Sequence, residues 1–214
     1  MEWAAVATLL RALECRDAVT YAHSLRVADL STRAARVLGC GQLSSEEVLL
    51  AGLLHDIGKL ALPDKVLQKV GKLSKSERSE IARHPVISAN ILSPLPRFDH
   101  VRAIILQHHE RFDGTGYPDG RRGDEILIES RVMTIADSFD ALCDERPYRS
   151  PLTREEALGW IESEVGRQFC PIAFQAMEVV LAEMDQPLNG PPLVADGPWS
   201  PYYRVAGVPP NESK

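Results

Sequence analysis

The sequence contains six histidines, and four of them lie at the ends or on the inner faces of predicted helices, beside acidic residues. His55 is followed directly by Asp56 at one predicted helix end, and His108 by His109 at another. Imidazole and carboxylate ligands together favour iron, manganese, zinc or a similar first-row metal over magnesium or calcium. The pattern therefore predicts a transition-metal site.

Each of these residues has a simpler explanation when it is considered alone. A single inward histidine such as His23 is more often a hydrogen-bonded core residue than a ligand. His108 and His109 are compatible with one buried and one surface imidazole. Asp137 is harder to explain, because it lies in an apolar run and a buried carboxylate is costly unless it is paired or bound to metal. Their joint occurrence favours the metal site.

Helical periodicity indicates which elements position these residues. Between Thr20 and Leu38, apolar residues recur at spacings of three and four, and His23 lies on the same face. A second helix, capped by Ser44 or Ser45, is expected to end at His55–Lys59. Both predicted helices therefore bring imidazoles towards the core.

The remaining sequence also reads as helices. Capping boxes at Ser74–Glu77 and Thr153–Glu156 predict two helix starts. A break is expected near His84, because the residue before Pro85 is disfavoured in a helix. Further helices are predicted over residues 101–108, 129–142 and 171–184, with an irregular loop over residues 113–120. The predicted fold class is all-α.

Length and composition indicate one folded domain with an appendage. The 214-residue chain is 44% hydrophobic and 25% charged, an ordinary balance for a globular protein. Beyond residue 185 the helical period is lost and prolines cluster. We predict a helical domain over residues 1–185 and an extended or disordered tail over residues 186–214.

Charge and cysteine content limit the environment and the partners. A net charge of -6 predicts binding neither to duplex nucleic acid nor to a membrane surface, so an anionic ligand needs local cationic groups. The four cysteines show no C-x-x-C pairing, which fits a reducing compartment. No stretch has the features of a signal peptide or a bilayer-spanning helix. The expected location is the cytoplasm.

Nine short motifs carry the strongest signal in the sequence. In chain order they are His23–Val27, His55–Lys59, Lys72–Ser74, His84–Pro85, His108–Glu110, Asp113–Pro118, Ala136–Asp137, Asp140–Leu142 and Arg146–Arg149. Together they resemble the HD-GYP domain, the cyclic di-GMP phosphodiesterase branch of the HD hydrolases. The resemblance extends from about Asp17 to Phe174 and implies a single HD-type helical bundle.

The resemblance implies a centre with two divalent metal ions, iron or manganese. For the first ion it implies the ligands His23, His55, Asp56 and Asp137. For the second it implies Asp56 as a bridge, together with His84, His108 and His109. Some family members have a glutamate four residues before the first histidine, which completes a third site. Here that residue is Val19, so two ions are expected.

The resemblance also implies catalytic and substrate-binding residues. Asp56 and Lys59 are the expected catalytic residues, with Lys59 donating a proton or stabilising charge at the scissile phosphate. A cation at a helix C-terminus would also explain Lys59. The implied substrate-binding residues are Gly116, Tyr117, Pro118, Arg146 and Arg149. Without the surrounding motifs, the two arginines would be interpreted as a solvated surface turn.

Two further departures from the family pattern leave the implied ligands intact. Ser88 replaces a frequent glycine four residues after His84, and Cys170 replaces the aspartate of an F-D-P motif. Cys170 is expected to be a small buried side chain without a redox role. Neither departure removes a metal ligand.

The implied function is metal-dependent hydrolysis of cyclic di-GMP to linear pGpG, GMP or both, by a hydroxide held between the metals. Two alternatives stay open: hydrolysis of another cyclic dinucleotide or nucleotide phosphoester, and a non-catalytic nucleotide-sensing or signalling module. The presence of His55, Asp56 and Lys59 favours the enzyme. A homodimer and a signalling-protein partner are also left open.

Overall fold

The computed structural model describes residues 3–67, 69, 71–144 and 150–184. The α-helices are α1 (Trp3–Arg16), α2 (Ala18–Val37), α3 (Gln42–Leu54), α4 (Asp64–Leu67), α5 (Lys75–Ile81), α6 (His84–Ile91), α7 (Asp99–Gln107), α8 (Ile128–Cys143), α9 (Arg154–Ser163) and α10 (Pro171–Met184). Short 3₁₀ turns occur at Ile57–Ala61, Pro96–Phe98 and Gly123–Glu125. The described residues contain no β-strand, which confirms the predicted all-α class.

Helix α2 lies at the centre of the packing. It contacts α1, α3 and α8, while α7 contacts both α3 and α8. Val27, Ala28 and Ala34 of α2 are completely buried. A buried valine or leucine side chain contributes roughly 1.5–3 kcal/mol to stability, so this interior surface holds the helices together.

The close approach of α3 to α2 depends on Gly52. A Cβ atom at this position would lie 2.5 Å from Cα of Ala28, well inside van der Waals contact. The glycine therefore lets the C-terminal part of α3 meet the middle of α2. As a result, the end of α3 carries His55 up to the His23 side of α2.

Helix starts agree with most of the capping predictions. Asp17 caps α2 by accepting hydrogen bonds from the amides of Val19 and Thr20, and both predicted capping boxes, at Ser74 and Thr153, are present. The predicted serine cap of α3 is wrong, because α3 begins at Gln42 and Gly41 precedes it without a side-chain cap. The hydroxyl of Ser44 donates instead to Glu129 of α8.

Polar side chains join α8 to the end of α7. Helix ends leave backbone carbonyls unpaired, and buried carbonyls need a partner. The hydroxyls of Ser130 and Thr134 donate to the carbonyls of Ile104 and His108, and the side chain of Gln107 accepts the amide of Leu127. These bonds fix where α7 ends relative to α8.

The chain divides into a compact unit at Met1–Val180 and a second unit that begins at Leu181. The predicted tail at 186–214 lies outside the described residues, so the proposed domain division stays a prediction. Among the helices that are described, none combines the length and apolar character that a bilayer crossing requires. Cys170 is buried, as expected from the sequence.

Replacing Gly52 by alanine is expected to lower the free energy of unfolding by roughly 1–3 kcal/mol, because the added methyl group collides with the α2 backbone. Gly159→Ala in α9 is the matched control, since nothing lies within 4 Å of a Cβ atom there. The control is expected to raise stability by roughly 0.5–1 kcal/mol. Urea unfolding measures both, and equal stability of the two variants would contradict the packing argument.

Candidate metal centre

The structure brings all seven predicted metal ligands into one buried cluster. They come from the second turn of α2, the residues after α3, the first residue of α6, the residues after α7, and α8: His23, His55, Asp56, His84, His108, His109 and Asp137. Most of these positions are helix ends, where the chain can turn a side chain inward without interrupting a helix.

The first group of ligand atoms comes from three distant parts of the sequence. The candidate ligand atoms of His23, His55 and Asp137 lie within 4.8 Å of one another. Nε2 of His23 is 3.0 Å from a carboxylate oxygen of Asp137. Two imidazoles and a carboxylate form a ligand set that suits first-row transition metals.

The second group consists of imidazoles only. The candidate ligand atoms of His84, His108 and His109 also lie within 4.8 Å of one another. The two Nε2 atoms of His84 and His108 are 3.3 Å apart. At this distance the two Nε2 atoms face each other directly.

Asp56 lies between the two groups. One of its carboxylate oxygens is 3.2 Å from Nε2 of His84, and the other is 3.4 Å from Nε2 of His55 and 4.0 Å from Nε2 of His23. The carboxylate is almost completely buried. Its two oxygens therefore face different groups, which is the arrangement that a bridging ligand needs.

Backbone carbonyls fix the orientation of three of the imidazoles. Nδ1 of His55, His84 and His108 lies 2.7, 2.8 and 2.6 Å from the carbonyl of the residue three positions earlier. Because a carbonyl only accepts, each Nδ1 carries the hydrogen. Nε2 is then left with a lone pair directed into the cluster, as in metal-binding histidines.

Burial keeps several imidazoles neutral. It lowers the pKa of His84, that of His108 well below its usual range, and that of His109 to about 3. For His23 burial acts in the same direction, but hydrogen bonds to Asp137 and Asp140 outweigh it and raise the pKa to about 9. Neutral imidazole is the form that binds metal, so His23 would have to release a proton in order to act as a ligand.

The two carboxylates stay charged despite their burial. Burial acts to raise their pKa values, but Lys59 and the neighbouring imidazoles lower the pKa of Asp56 well below its usual range. His23 does the same for Asp137. The site therefore presents two anionic groups to a cation.

The cluster fits bound cations on one further observation. Nε2 of His55 is buried and has no hydrogen-bond partner. An unpaired buried polar atom is unfavourable. The repulsion between the Nε2 lone pairs of His84 and His108 is unfavourable as well. Metal ions within the cluster would satisfy all three nitrogen atoms.

Lys59 lies beside the Asp56 carboxylate. It follows Asp56 by one turn of the 3₁₀ segment, and its ammonium group donates to the Asp56 oxygen that faces His23 and His55, at 2.5 Å. The side chain is partly exposed, so it can also reach a ligand at the mouth of the site.

The predicted substrate loop is attached directly to the second group of ligands. The amide of Tyr117 donates to the carbonyl of His109, and the two rings lie 5.0 Å apart. Gly116 permits this contact, because a Cβ atom there would lie 2.3 Å from the amide nitrogen of Arg111. Pro118 follows Tyr117 across a cis peptide bond.

Glu110 and Arg111 also hold this loop, although the sequence assigned them no role. The buried carboxylate of Glu110 accepts from the amides of Asp119 and Gly120. The guanidinium group of Arg111 donates to Asp113 and Gln168. The signal for Glu110 was its position directly after His109, whereas nothing local indicates the partner Gln168.

Arg146 and Arg149 lie outside the described residues, so their assignment as phosphate-binding residues stays a prediction. Arg26 and Asp140 are described. Asp140 accepts a hydrogen bond from Nδ1 of His23, and Arg26 donates to Asp140. Both belong to motifs that were recognised in the sequence without a role.

The geometry of the site is consistent with one family. The sequence profile of the HD domain family matches residues 7–171, most of the chain. The chain belongs to the HD domain family. The predicted resemblance to the HD hydrolases is thereby confirmed.

Several relatives of this HD domain protein are named as phosphodiesterases of cyclic dinucleotides. It is 41% identical over 180 residues to the cyclic di-GMP phosphodiesterase response regulator RpfG of Xanthomonas campestris, covering 83% of this chain and 48% of RpfG. It is 37% identical over 169 residues to 3′3′-cGAMP-specific phosphodiesterase 3 of Vibrio cholerae, covering 79% of this chain and 37% of the relative. The chain thus spans less than half the length of these two relatives.

A solved structure supports the same family. The HDG"Y"P protein Bd1817 from Bdellovibrio bacteriovorus matches this HD domain with a TM-score of 0.60 and 26% sequence identity. The match covers 75% of this chain and 51% of Bd1817. The helical arrangement described above is therefore found in an experimental structure.

Ser88 provides a test of how the centre is supported. Its buried hydroxyl donates to the carbonyl of His55 at 2.6 Å and accepts from the amide of Gly58 at 2.8 Å. Ser88→Ala is expected to lower the free energy of unfolding by roughly 1–3 kcal/mol, because both backbone groups lose their partner. Ser79→Ala, at an exposed position of α5, is the control and should change stability by less than about 0.5 kcal/mol. Thermal unfolding that leaves both variants at the wild-type melting temperature would contradict this role.

Proposed function

We propose that this HD domain protein is a metal-dependent phosphodiesterase that hydrolyses cyclic di-GMP to linear pGpG, GMP or both. The observation that carries the proposal is the position of Asp56, whose two oxygens face two separate groups of ligands. Hydrolysis of a phosphodiester benefits from two cations a few ångströms apart, because charge builds on both the attacking and the leaving oxygen.

Two ions of iron or manganese are the proposed cofactors. His23, His55 and Asp137 would hold one ion and His84, His108 and His109 the other, with Asp56 bound to both. These ions would supply a nucleophile at neutral pH and positive charge for the phosphoryl oxygens. Val19 is exposed and offers no ligand atom, which supports two ions and not three.

The residues around the ions have distinct proposed roles. Lys59 moves from Asp56 to the scissile phosphate and gives a proton to the leaving oxygen. Tyr117, with its loop neighbours Gly116 and Pro118, forms one wall of the substrate pocket. Burial and the nearby carboxylates raise the pKa of Tyr117, so its hydroxyl stays protonated and is available as a donor. Arg146 and Arg149 remain the proposed phosphate-binding residues.

Hydrolysis of another cyclic dinucleotide is the second candidate function. It is favoured by the relative from Vibrio cholerae that is named as specific for 3′3′-cGAMP. The two substrates have the same phosphodiester ring and differ in one base. The metal centre would serve either of them, and the choice would lie with the residues that contact the base.

We also propose a cellular environment for the protein. None of the four cysteines forms a disulfide bond, which supports a reducing compartment such as the cytoplasm. The division into a catalytic domain at 1–185 and a tail at 186–214 remains our proposal, as does the absence of a role for duplex nucleic acid. A homodimer or a signalling-protein partner stays a prediction.

The first test is hydrolysis of cyclic di-GMP by protein purified without air exposure and supplied with Fe²⁺ or Mn²⁺. We expect turnover to pGpG or GMP that falls at least roughly a hundredfold in Asp56→Ala, because loss of the bridge removes several kcal/mol of transition-state stabilisation. Chromatography of the products measures this. Turnover of 3′3′-cGAMP alone would select the second candidate, and no turnover of either by metal-loaded protein would reject both.

Metal stoichiometry tests the assignment of the second group. His109→Ala is expected to retain about one ion per chain where the wild type retains two, because one imidazole of three is lost. Lys59→Met is the matched control, since it removes a proposed catalytic group and no ligand. It should keep two ions while kcat falls by roughly 10²–10⁴. Elemental analysis together with the hydrolysis assay separates these outcomes, and full stoichiometry in His109→Ala would exclude it as a ligand.

A further inference from the structure

The environment of His23 differs from that of the other oriented imidazoles. His55, His84 and His108 donate from Nδ1 to backbone carbonyls. His23 instead faces the carboxylate of Asp140, with 2.7 Å between Nδ1 and Oδ2. Asp140 itself is buried, with only 6% of its surface exposed.

We propose that Asp140 is a positioning residue that sets the orientation and the electron density of His23 as a metal ligand. This inference rests on the metal centre of the proposed function.

Asp140 is unavailable as a metal ligand, because both of its oxygens are occupied. Arg26 donates from Nε to one oxygen at 2.6 Å and from Nη2 to the other at 2.9 Å. The second oxygen also accepts from His23. A carboxylate held in this way acts on the metal only through the imidazole. It fixes the hydrogen on Nδ1 and directs the Nε2 lone pair towards Asp56 and Asp137.

A carboxylate partner changes the imidazole more than a carbonyl does. The hydrogen bond from Nδ1 to an anion is charge-assisted, and it increases the basicity of the opposite nitrogen. Of the two groups, the one containing His23 and Asp137 therefore becomes the more electron-rich. In the second group, Nδ1 of His84 and of His108 donates to a backbone carbonyl, and Nδ1 of His109 lies 4.0 Å from Asp137, beyond hydrogen-bond distance. The two metal positions are consequently expected to differ in affinity.

Arg26 makes a buried Asp140 possible. A buried carboxylate needs compensation, and the partly exposed guanidinium group supplies it across the α2–α8 interface. The same guanidinium group lies 3.2 Å from Asp144, the residue that follows α8. Asp144 therefore shares the partner of Asp140 without contacting His23, which makes it a matched control position.

The experiment compares Asp140→Asn with Asp144→Asn in the full chain, by titrating metal-free protein with Mn²⁺. Asparagine still accepts a hydrogen bond from His23 but carries no charge. We expect Asp140→Asn to weaken one of the two Mn²⁺ dissociation constants by 10- to 100-fold, the range found for residues that support metal ligands, and to leave the other within about threefold. Asp144→Asn is expected to leave both within about threefold. Electron paramagnetic resonance of free Mn²⁺ gives the constants without reference to activity.

Three results would overturn the inference: unchanged Mn²⁺ constants in Asp140→Asn, equal weakening in both variants, or a wild type that binds no Mn²⁺. The melting temperature of the metal-free variants shows whether they fold. If Asp140→Asn does not fold, Arg26→Gln tests the same contact from its exposed side, and it should weaken one constant by roughly 3- to 10-fold. Wild-type affinity in that variant would also reject the inference.

Failure of the proposed function gives a different pattern. A protein that binds two Mn²⁺ ions with the expected response to Asp140→Asn, yet hydrolyses neither cyclic di-GMP nor 3′3′-cGAMP, retains the positioning role and loses the proposed substrate class.

Discussion

The rest of the structure depends on the burial of one carboxylate, Asp56. A charged group inside a protein must be compensated, and here Lys59 and the surrounding imidazoles provide the compensation. Burial lowers the pKa of His84, His108 and His109, and backbone carbonyls orient His55, His84 and His108. Neither type of group would be stable in this interior without the other, and an unpaired nitrogen on His55 remains even so. Such a cluster is suited to cations, and the helices are arranged to build it.

The arrangement relies on where helices end more than on which residues fill the core. Gly52 brings α3 against α2, and the hydroxyls of Ser130 and Thr134 fix the end of α7 against α8. Each of these contacts sets the position of a proposed ligand a few residues away. The apolar interior supplies stability, whereas these close contacts supply the precision that a metal site requires.

Much of this could be predicted from the sequence, because helical periods and capping boxes are local signals. The helices around His23 and Asp137 and the boxes at Ser74 and Thr153 are of this kind. The resemblance to a family provided the set of ligands, which spacing alone left ambiguous. The serine cap of α3 was mispredicted because Ser44 has a tertiary partner, Glu129. The roles of Ser88 and Asp140 were missed for a related reason: their partners lie 33 and 117 residues away, and no local pattern indicates them.

The two groups of ligands also differ in how much chain separates their members. His84 and His109 are close in sequence, whereas His23 and Asp137 are more than a hundred residues apart. Because the entropy of loop closure rises with the logarithm of loop length, joining the distant pair costs about 1 kcal/mol more. An ion held by that pair, as proposed, would act as a cross-link between the N-terminal and C-terminal parts of the helical unit. The same ion would thus stabilise the fold in addition to taking part in the chemistry.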